Sequence, residues 1–268
     1  MLTVAVLSHS GGDPGADACS IRYLGRCLSS IAACDLRRSV NEVRVILNHP
    51  SEALLKEAVD HLADIRKQVP VTLITTDQKF KYPAMRAALY RVELRPDTSG
   101  IMWFDDDSVV LHHPENLFNW AKVMLIGAVD VIGQPWRMSV SLRRLNWFRR
   151  QPWAAGWKAG AEIKFPQGGF WCAKLEWLKK HDWPTRQLRH RGGDVATGVL
   201  ISASSSCWLF LPTKNELSEH RVCINCGDTF RDSESPRRSF DEPPLGEWQP
   251  DEDMIREMHD FEIRVVSV

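Results

Sequence analysis

The stretch "IMWFDDDSVVLHHPENL" (residues 101–117) runs a short apolar segment straight into three consecutive aspartates. A continuous apolar run of this length, bounded by polar residues, reads as a buried strand. Like charges placed side by side disfavour each other's ionised form. The triplet is therefore either a well-solvated turn or a place where a cation belongs. In an extended segment residues i and i+2 face the same side, so Asp105 and Asp107 are expected to converge while Asp106 points away. Two convergent carboxylates are hard oxygen ligands suited to Mg²⁺ or Mn²⁺.

Working outward, the first half of the chain alternates strand and helix signals. "LTVAVLS" (2–8) is a short apolar run followed by a Gly-rich loop. Ile21, Leu24, Leu28 and Ile31 then recur at helical spacing. "NEVRVILN" (41–48) alternates like a strand, and Ser51 is placed to cap a helix whose apolar face is Leu54, Leu55, Ala58, Val59, Leu62 and Ile65. "VTLITT" (71–76) is a third strand, and Pro83 is expected to open the next helix. "GIMWF" (100–104) is the fourth strand, Pro114 the start of a helix that Gly127 stops, and "VDVIGQ" (129–134) the fifth strand. This alternation predicts an α/β fold with a mostly parallel central sheet flanked by helices. Ligands bind such sheets beyond the carboxyl ends of the strands, and the aspartates lie at one of those ends.

The 268 residues carry a formal net charge of zero, but the sum conceals an asymmetry. Lys and Arg against Asp and Glu count 14 to 16 in residues 1–136, 13 to 3 in 137–191 and 7 to 15 in 192–268, or −2, +10 and −8. The middle segment also holds Trp-rich sequence, a basic aromatic insertion at 137–166. Such a segment favours an anionic partner, nucleic acid or a lipid surface. Lys and Arg neutralise phosphates while aromatics stack on unpaired bases. The same residues on a short amphipathic stretch suit an anionic membrane. Seven cysteines at irregular spacing argue against a disulfide framework. No signal-peptide pattern opens the sequence and no window has transmembrane length, so a cytoplasmic setting is expected, a host's cytoplasm if the protein is viral. Residues 1–230 read as one domain, with 231–268 an acidic C-terminal tail and short helix.

"WFDDDSV" after the fourth strand resembles the DxD motif of GT-A-fold glycosyltransferases, particularly the inverting family 2-like enzymes. "IRYLGRCLSSI" (21–31) is similar to that family's first helix. "YPAMRAAL" (82–89) resembles the segment where an Arg precedes a small-residue helix. "QGGFWCAKLEWLKKHDWP" (167–184) resembles the Gly-rich stretch bordering the acceptor site, and "HRGGDVATGVLI" (190–201) the segment that carries the catalytic base. The resemblance covers residues 1–220. It departs from the family's pattern at "LNHPS", where Asn48 stands in place of the usual Asp, and at Asp194, which lacks the usual preceding Glu.

The resemblance implies transfer of a sugar from a nucleotide-sugar donor, in the first place a UDP-sugar, with inversion. It implies a metal, Mn²⁺ or Mg²⁺, at Asp107 and Asp105 with a late ligand at His220. It implies donor contacts from Ser8, Asn48, Arg86, Asp105 and Asp106, with Asp194 as general base; the competing reading of Asp194 is a helix cap. Gly168, Gly169 and Trp171, with Arg143, Arg144, Arg149 and Arg150 of the basic segment, are the expected acceptor contacts. A cytosolic enzyme of this kind could act on hydroxymethylated pyrimidines such as 5-hydroxymethylcytosine in DNA, as some bacteriophage enzymes do. The rival acceptor is a lipid-linked or cell-surface glycan. Two other classes stay open: a metal-dependent nucleotidyltransferase, and a non-catalytic nucleic-acid-binding protein. His220, Cys223 and Cys226 form part of a zinc pattern that Cys207 or Cys172 could complete, against the alternative of ordinary free thiols.

Overall fold

The computed structural model describes residues 1–9, 14–78, 80–110, 117–139, 162–189, 193–210, 222–223 and 250–268. Its first part follows the expected alternation: β1 (Leu2–His9), α1 (Pro14–Ala32), β2 (Val40–Asn48), α2 (Glu52–Arg66), β3 (Val71–Thr76), α3 (Lys81–Tyr90) and β4 (Gly100–Asp105). Then come β5 (Val109–Val110), α4 (Leu117–Ile126), β6 (Val131–Ser139), β7 (Glu162–Lys174), α5 (Leu175–Lys180), α6 (Gly193–Ser204), β8 (Trp208–Phe210), β9 (Val222–Cys223), α7 (Glu252–His259) and β10 (Ile263–Val266).

The large sheet has the order β10-β3-β2-β1-β4-β7-β6-β8. Strands β3, β2, β1 and β4 are mutually parallel, whereas β7 runs antiparallel to both β4 and β6, and β10 antiparallel to β3. The sheet is thus mixed: its continuous parallel part comes from the first half of the chain, and β8 adds a parallel pairing to β6 at the far edge. From β1 the chain moves to β2 and β3 on one side, then returns to place β4 on the other side of β1. The carboxyl ends of β1 and β4 therefore flank a reversal of strand order, where open α/β sheets leave a crevice.

Local chemistry explains these elements. Ser51 caps α2 by accepting a hydrogen bond from the Leu54 amide, and the helix buries Leu54, Ala58, Leu62 and Ile65. Helix α3 starts at Lys81, two residues before Pro83, which is tolerated because a first-turn N–H has no intrahelical partner. Strand β4 alternates: Ile101 and Trp103 enter the core layer beneath α3 and α6, Met102 and Phe104 the opposite layer. On β7 the paired residues Trp171 and Phe170 meet them across the ladder, Trp103 on Trp171 with centroids 6.0 Å apart and Phe104 on Phe170 at 5.0 Å.

Strand β2 departs from a simple alternation of buried and solvated faces. Helices cover both faces, so Glu42 and Arg44 are as buried as their apolar neighbours. Arg44 Nε donates to Glu42 Oε2 at 2.7 Å, and its terminal nitrogens donate to the carbonyls of Ala88, Val92 and Glu93. These bonds satisfy carbonyls at and beyond the end of α3 and fix that helix on the sheet. The segment read from sequence as an acidic tail supplies α7 and also β10, which closes one edge of the main sheet. Arg91 holds it by donating to the carbonyls of His259 and Phe261.

Candidate functional site

Strand β4 ends at Asp105, and Asp106 and Asp107 form a turn closed by the Ser108 amide donating to the Asp105 carbonyl at 3.0 Å. The period of two stops there, so the three carboxylates part company. Asp105 stays on the α3–α6 side. Asp106 is not the outward residue expected: it is buried, and Ser8 Oγ donates to its Oδ2 at 2.5 Å. Asp107 is buried as well. Behind them the thiol of Cys27 on α1 is pushed up by burial and by the fields of Asp106, Asp107 and Asp105.

Both oxygens of Asp105 are engaged. Trp103 Nε1 donates to Oδ1 at 3.0 Å, and Lys81 Nζ donates to Oδ2 at 2.5 Å. Lys81 also donates to the Gly168 carbonyl at 3.4 Å. It stands in the first turn of α3, where the helix dipole disfavours a cation, so Asp105 supplies the compensating charge. Gly168 lies at the meeting point: a Cβ there would sit 3.8 Å from Lys81 Nζ and 3.7 Å from Asp194 Cβ.

Asp194 comes from α6, 89 residues after Asp105, yet shares this site. It occupies the first turn of α6 after Gly193, with Oδ1 accepting from the Val195 amide at 2.9 Å. Burial is the largest influence on its carboxyl and raises its pKa; the Val195 amide and Lys81 pull it down, and Asp105 pushes it up. Tyr82 seats the turn. Its ring fills the space a side chain at Gly193 would need, and the backbone amides of Gly193 and Asp194 favour the charged form of its hydroxyl. Burial and the nearby carboxylates of Asp194 and Asp105 raise the pKa of that hydroxyl.

Of the other expected site residues, Asn48 ends β2 beside His9 and Thr76, its amide buried and, among the described residues, without a hydrogen-bond partner. Gly169 lends its carbonyl to Ser108 Oγ at 2.8 Å, tying the aspartate turn to β7. Two expectations are corrected. Arg86 is committed elsewhere, to Asp182 Oδ1 at 2.7 Å and the carbonyls of Asp182 and Pro184, because its helical turn faces the loop after α5. Trp171 is a core residue, 5% exposed and stacked on Trp103, because β7 is an interior strand. Cys172 is likewise fully buried in the core, its thiol pushed far up by desolvation. Arg143, Arg144, Arg149, Arg150, His220 and Cys226 lie outside the described residues, as does the side chain of Cys223.

A divalent ion shared by Asp105 and Asp107 would have to compete with a cation already seated on Asp105. Mg²⁺ sits about 2.1 Å from its oxygen ligands, and an ammonium already holds the Asp105 oxygen at 2.5 Å. The other Asp105 oxygen accepts from the indole. Among the described residues, no three His, Cys, Asp or Glu side chains gather to hold a metal. Among the same residues no helix is long and apolar enough to cross a membrane. The residues that sequence reading missed are Lys81, Tyr82 and Trp103. Lys81 had a visible signal: a cation at a helix start, two residues before Pro83, against the dipole.

No family model matches the chain, and no curated protein does. Solved structures do resemble it. The mannosyltransferase PcManGT from Pyrobaculum calidifontis, in complex with GDP-Man and Mn²⁺, is 18% identical with a TM-score of 0.49, over 79% of this chain and 54% of that one. An active-site mutant of LgtC is 12% identical with a TM-score of 0.47, over 84% and 87%. A fragment of S. aureus TarS is 13% identical with a TM-score of 0.48, over 80% and 58%. The chain spans about half the length of the mannosyltransferase.

Proposed function

We propose that the chain is a GT-A-like glycosyltransferase that moves a sugar from a nucleotide-sugar donor to an acceptor hydroxyl. One observation carries the reading: Asp194 of α6 and Asp105 of β4 are gathered around Lys81 at the reversal of strand order. A transfer site needs a base on one side of the reacting carbon and positive charge on the other. Asp194 is the base, with a pKa raised by burial toward the working range of a general base. It takes the acceptor proton as the acceptor oxygen bonds to the anomeric carbon. The bond from that carbon to the diphosphate breaks, and its electron pair leaves on the phosphate oxygen. Direct displacement of this kind inverts the centre. Asn48, with a buried amide that can both donate and accept, suits the edge of a pyrimidine base such as that of a UDP-sugar.

The acceptor we propose is anionic, with a hydroxymethylated pyrimidine of DNA as the first candidate. The +10 balance of residues 137–191 supports this, since that segment contains β7 and Gly168. The test is transfer of label from UDP-glucose to 5-hydroxymethylcytosine-containing DNA, with a bacterial lipid extract as parallel acceptor. Label in DNA supports the whole reading, and label in lipid replaces the acceptor while keeping the reaction. If no nucleotide-sugar in a panel of UDP- and GDP-sugars yields transfer or hydrolysis, the reading fails.

A further inference from the structure

We infer that the cation serving this site is the ammonium of Lys81, and that it, rather than a divalent ion on Asp105, neutralises the diphosphate. The inference rests on the glycosyl-transfer reading for its substrate and on the geometry for its content. An ammonium has three N–H donors. Among the described residues, one goes to Asp105 Oδ2 at 2.5 Å and one to the Gly168 carbonyl at 3.4 Å, leaving the third for a ligand. Asp105 and Trp103 then have an orienting role: the indole fixes the carboxylate, and the carboxylate fixes the ammonium.

Three features argue that this cation is built in and not incidental. Lys81 is mostly buried, its side chain 14% exposed, so its charge acts in a medium that screens weakly. It opens α3, a helix locked at its other end by the Arg44 bonds to Ala88, Val92 and Glu93, so its base cannot drift. It also sits within electrostatic reach of Asp194, whose carboxyl it pulls down against burial. The same ammonium thus keeps the base ionisable and faces the leaving group. During transfer Lys81 stays protonated: it donates a hydrogen bond to the phosphate oxygen that receives the electron pair, and the acceptor proton rests on Asp194. No redox change occurs and no further reactant is needed.

The test is binding of UDP and GDP by calorimetry in EDTA and in Mn²⁺, on wild type, Lys81→Met and Lys81→Arg, with circular dichroism to establish that each is folded. The expected result is binding by wild type in EDTA with little gain from Mn²⁺. Lys81→Met is expected to weaken binding about tenfold to a hundredfold, the range for a hydrogen bond to a charged group, and Lys81→Arg to restore part of it. Binding that vanishes in EDTA and returns with Mn²⁺ overturns the inference, as does Mn²⁺ electron paramagnetic resonance broadened by wild type but not by Asp105→Asn. Diphosphate binding in EDTA that depends on Lys81, with no sugar transferred to any acceptor, keeps the Lys81 site and removes the glycosyl-transfer reading. Folded wild type that binds neither diphosphate under either condition overturns both.

Discussion

Replacing Gly193 with alanine tests how the base is positioned. A Cβ there would lie 2.0 Å from Tyr82 Cζ, 2.1 Å from its hydroxyl oxygen and 2.4 Å from Cε1. Ordinary carbon contact begins at 3.4 Å, so ring and helix must separate by the difference, 1.4 Å. Tyr82 is 5% exposed and packed against Trp183 with centroids 6.0 Å apart, so the α6 side must yield. Overpacking of this kind costs about 1–3 kcal/mol, although alanine is otherwise the better helix former by roughly 1 kcal/mol. The shift carries Asp194 away from Lys81, and a misplacement of about 1 Å typically costs on the order of 10²-fold in rate. Thermal unfolding and kcat/KM for sugar transfer should therefore both fall in Gly193→Ala. In a Tyr82→Leu background, which opens the space, the same substitution should become neutral or stabilising. A Gly193→Ala variant with wild-type melting and turnover would refute the reasoning, as would a penalty that persists in the Tyr82→Leu background.

Asp194→Asn should lower transfer by about 10²–10⁴-fold, the contribution of a general base, while leaving UDP binding intact. Because burial raises the pKa of Asp194, its contribution to stability is full below the ordinary carboxylate range and is lost as pH rises through the raised value. Asparagine abolishes that loss, so Tm of the variant measured against pH should match wild type in acid and exceed it at neutral pH. The activity of wild type should rise with pH across the same window. Arg44→Met strands a buried Glu42 carboxylate, 2% exposed, and leaves the carbonyls of Ala88, Val92 and Glu93 without their donor. Breaking a buried pair this way costs about 3–5 kcal/mol. The double variant Glu42→Leu/Arg44→Met should recover much of it in urea unfolding, and failure to recover would show that the carbonyl bonds dominate.

The order of strands and helices through β4 was legible because each element carries its own periodicity. The residues that bury the faces of α1 and α2, and the Ser51 cap, are local signals needing no knowledge of neighbours. The placement of acidic residues at a strand end was legible for the same reason. The mixed sheet was not, because a strand such as β7 carries no local sign of whether it pairs parallel or antiparallel. Nor was β10 visible: four residues with Arg264 among them become a strand only against the waiting edge of β3.

What the sequence determined by itself is therefore a set of elements and a triplet of carboxylates at the end of one of them. What only tertiary structure decided is what each carboxylate does. Asp106 turned to Ser8, Asp105 to Lys81 and Trp103, and Asp194 arrived from α6 at the same place. The reason is physical. Helix and strand periodicities are set within a few residues of the chain, whereas a carboxylate's partner is whichever cation packing brings within reach. Lys81 and Asp105 are 24 residues apart, on different elements, and meet only because β1 lets β4 fold back beside it while α3 lies across the sheet.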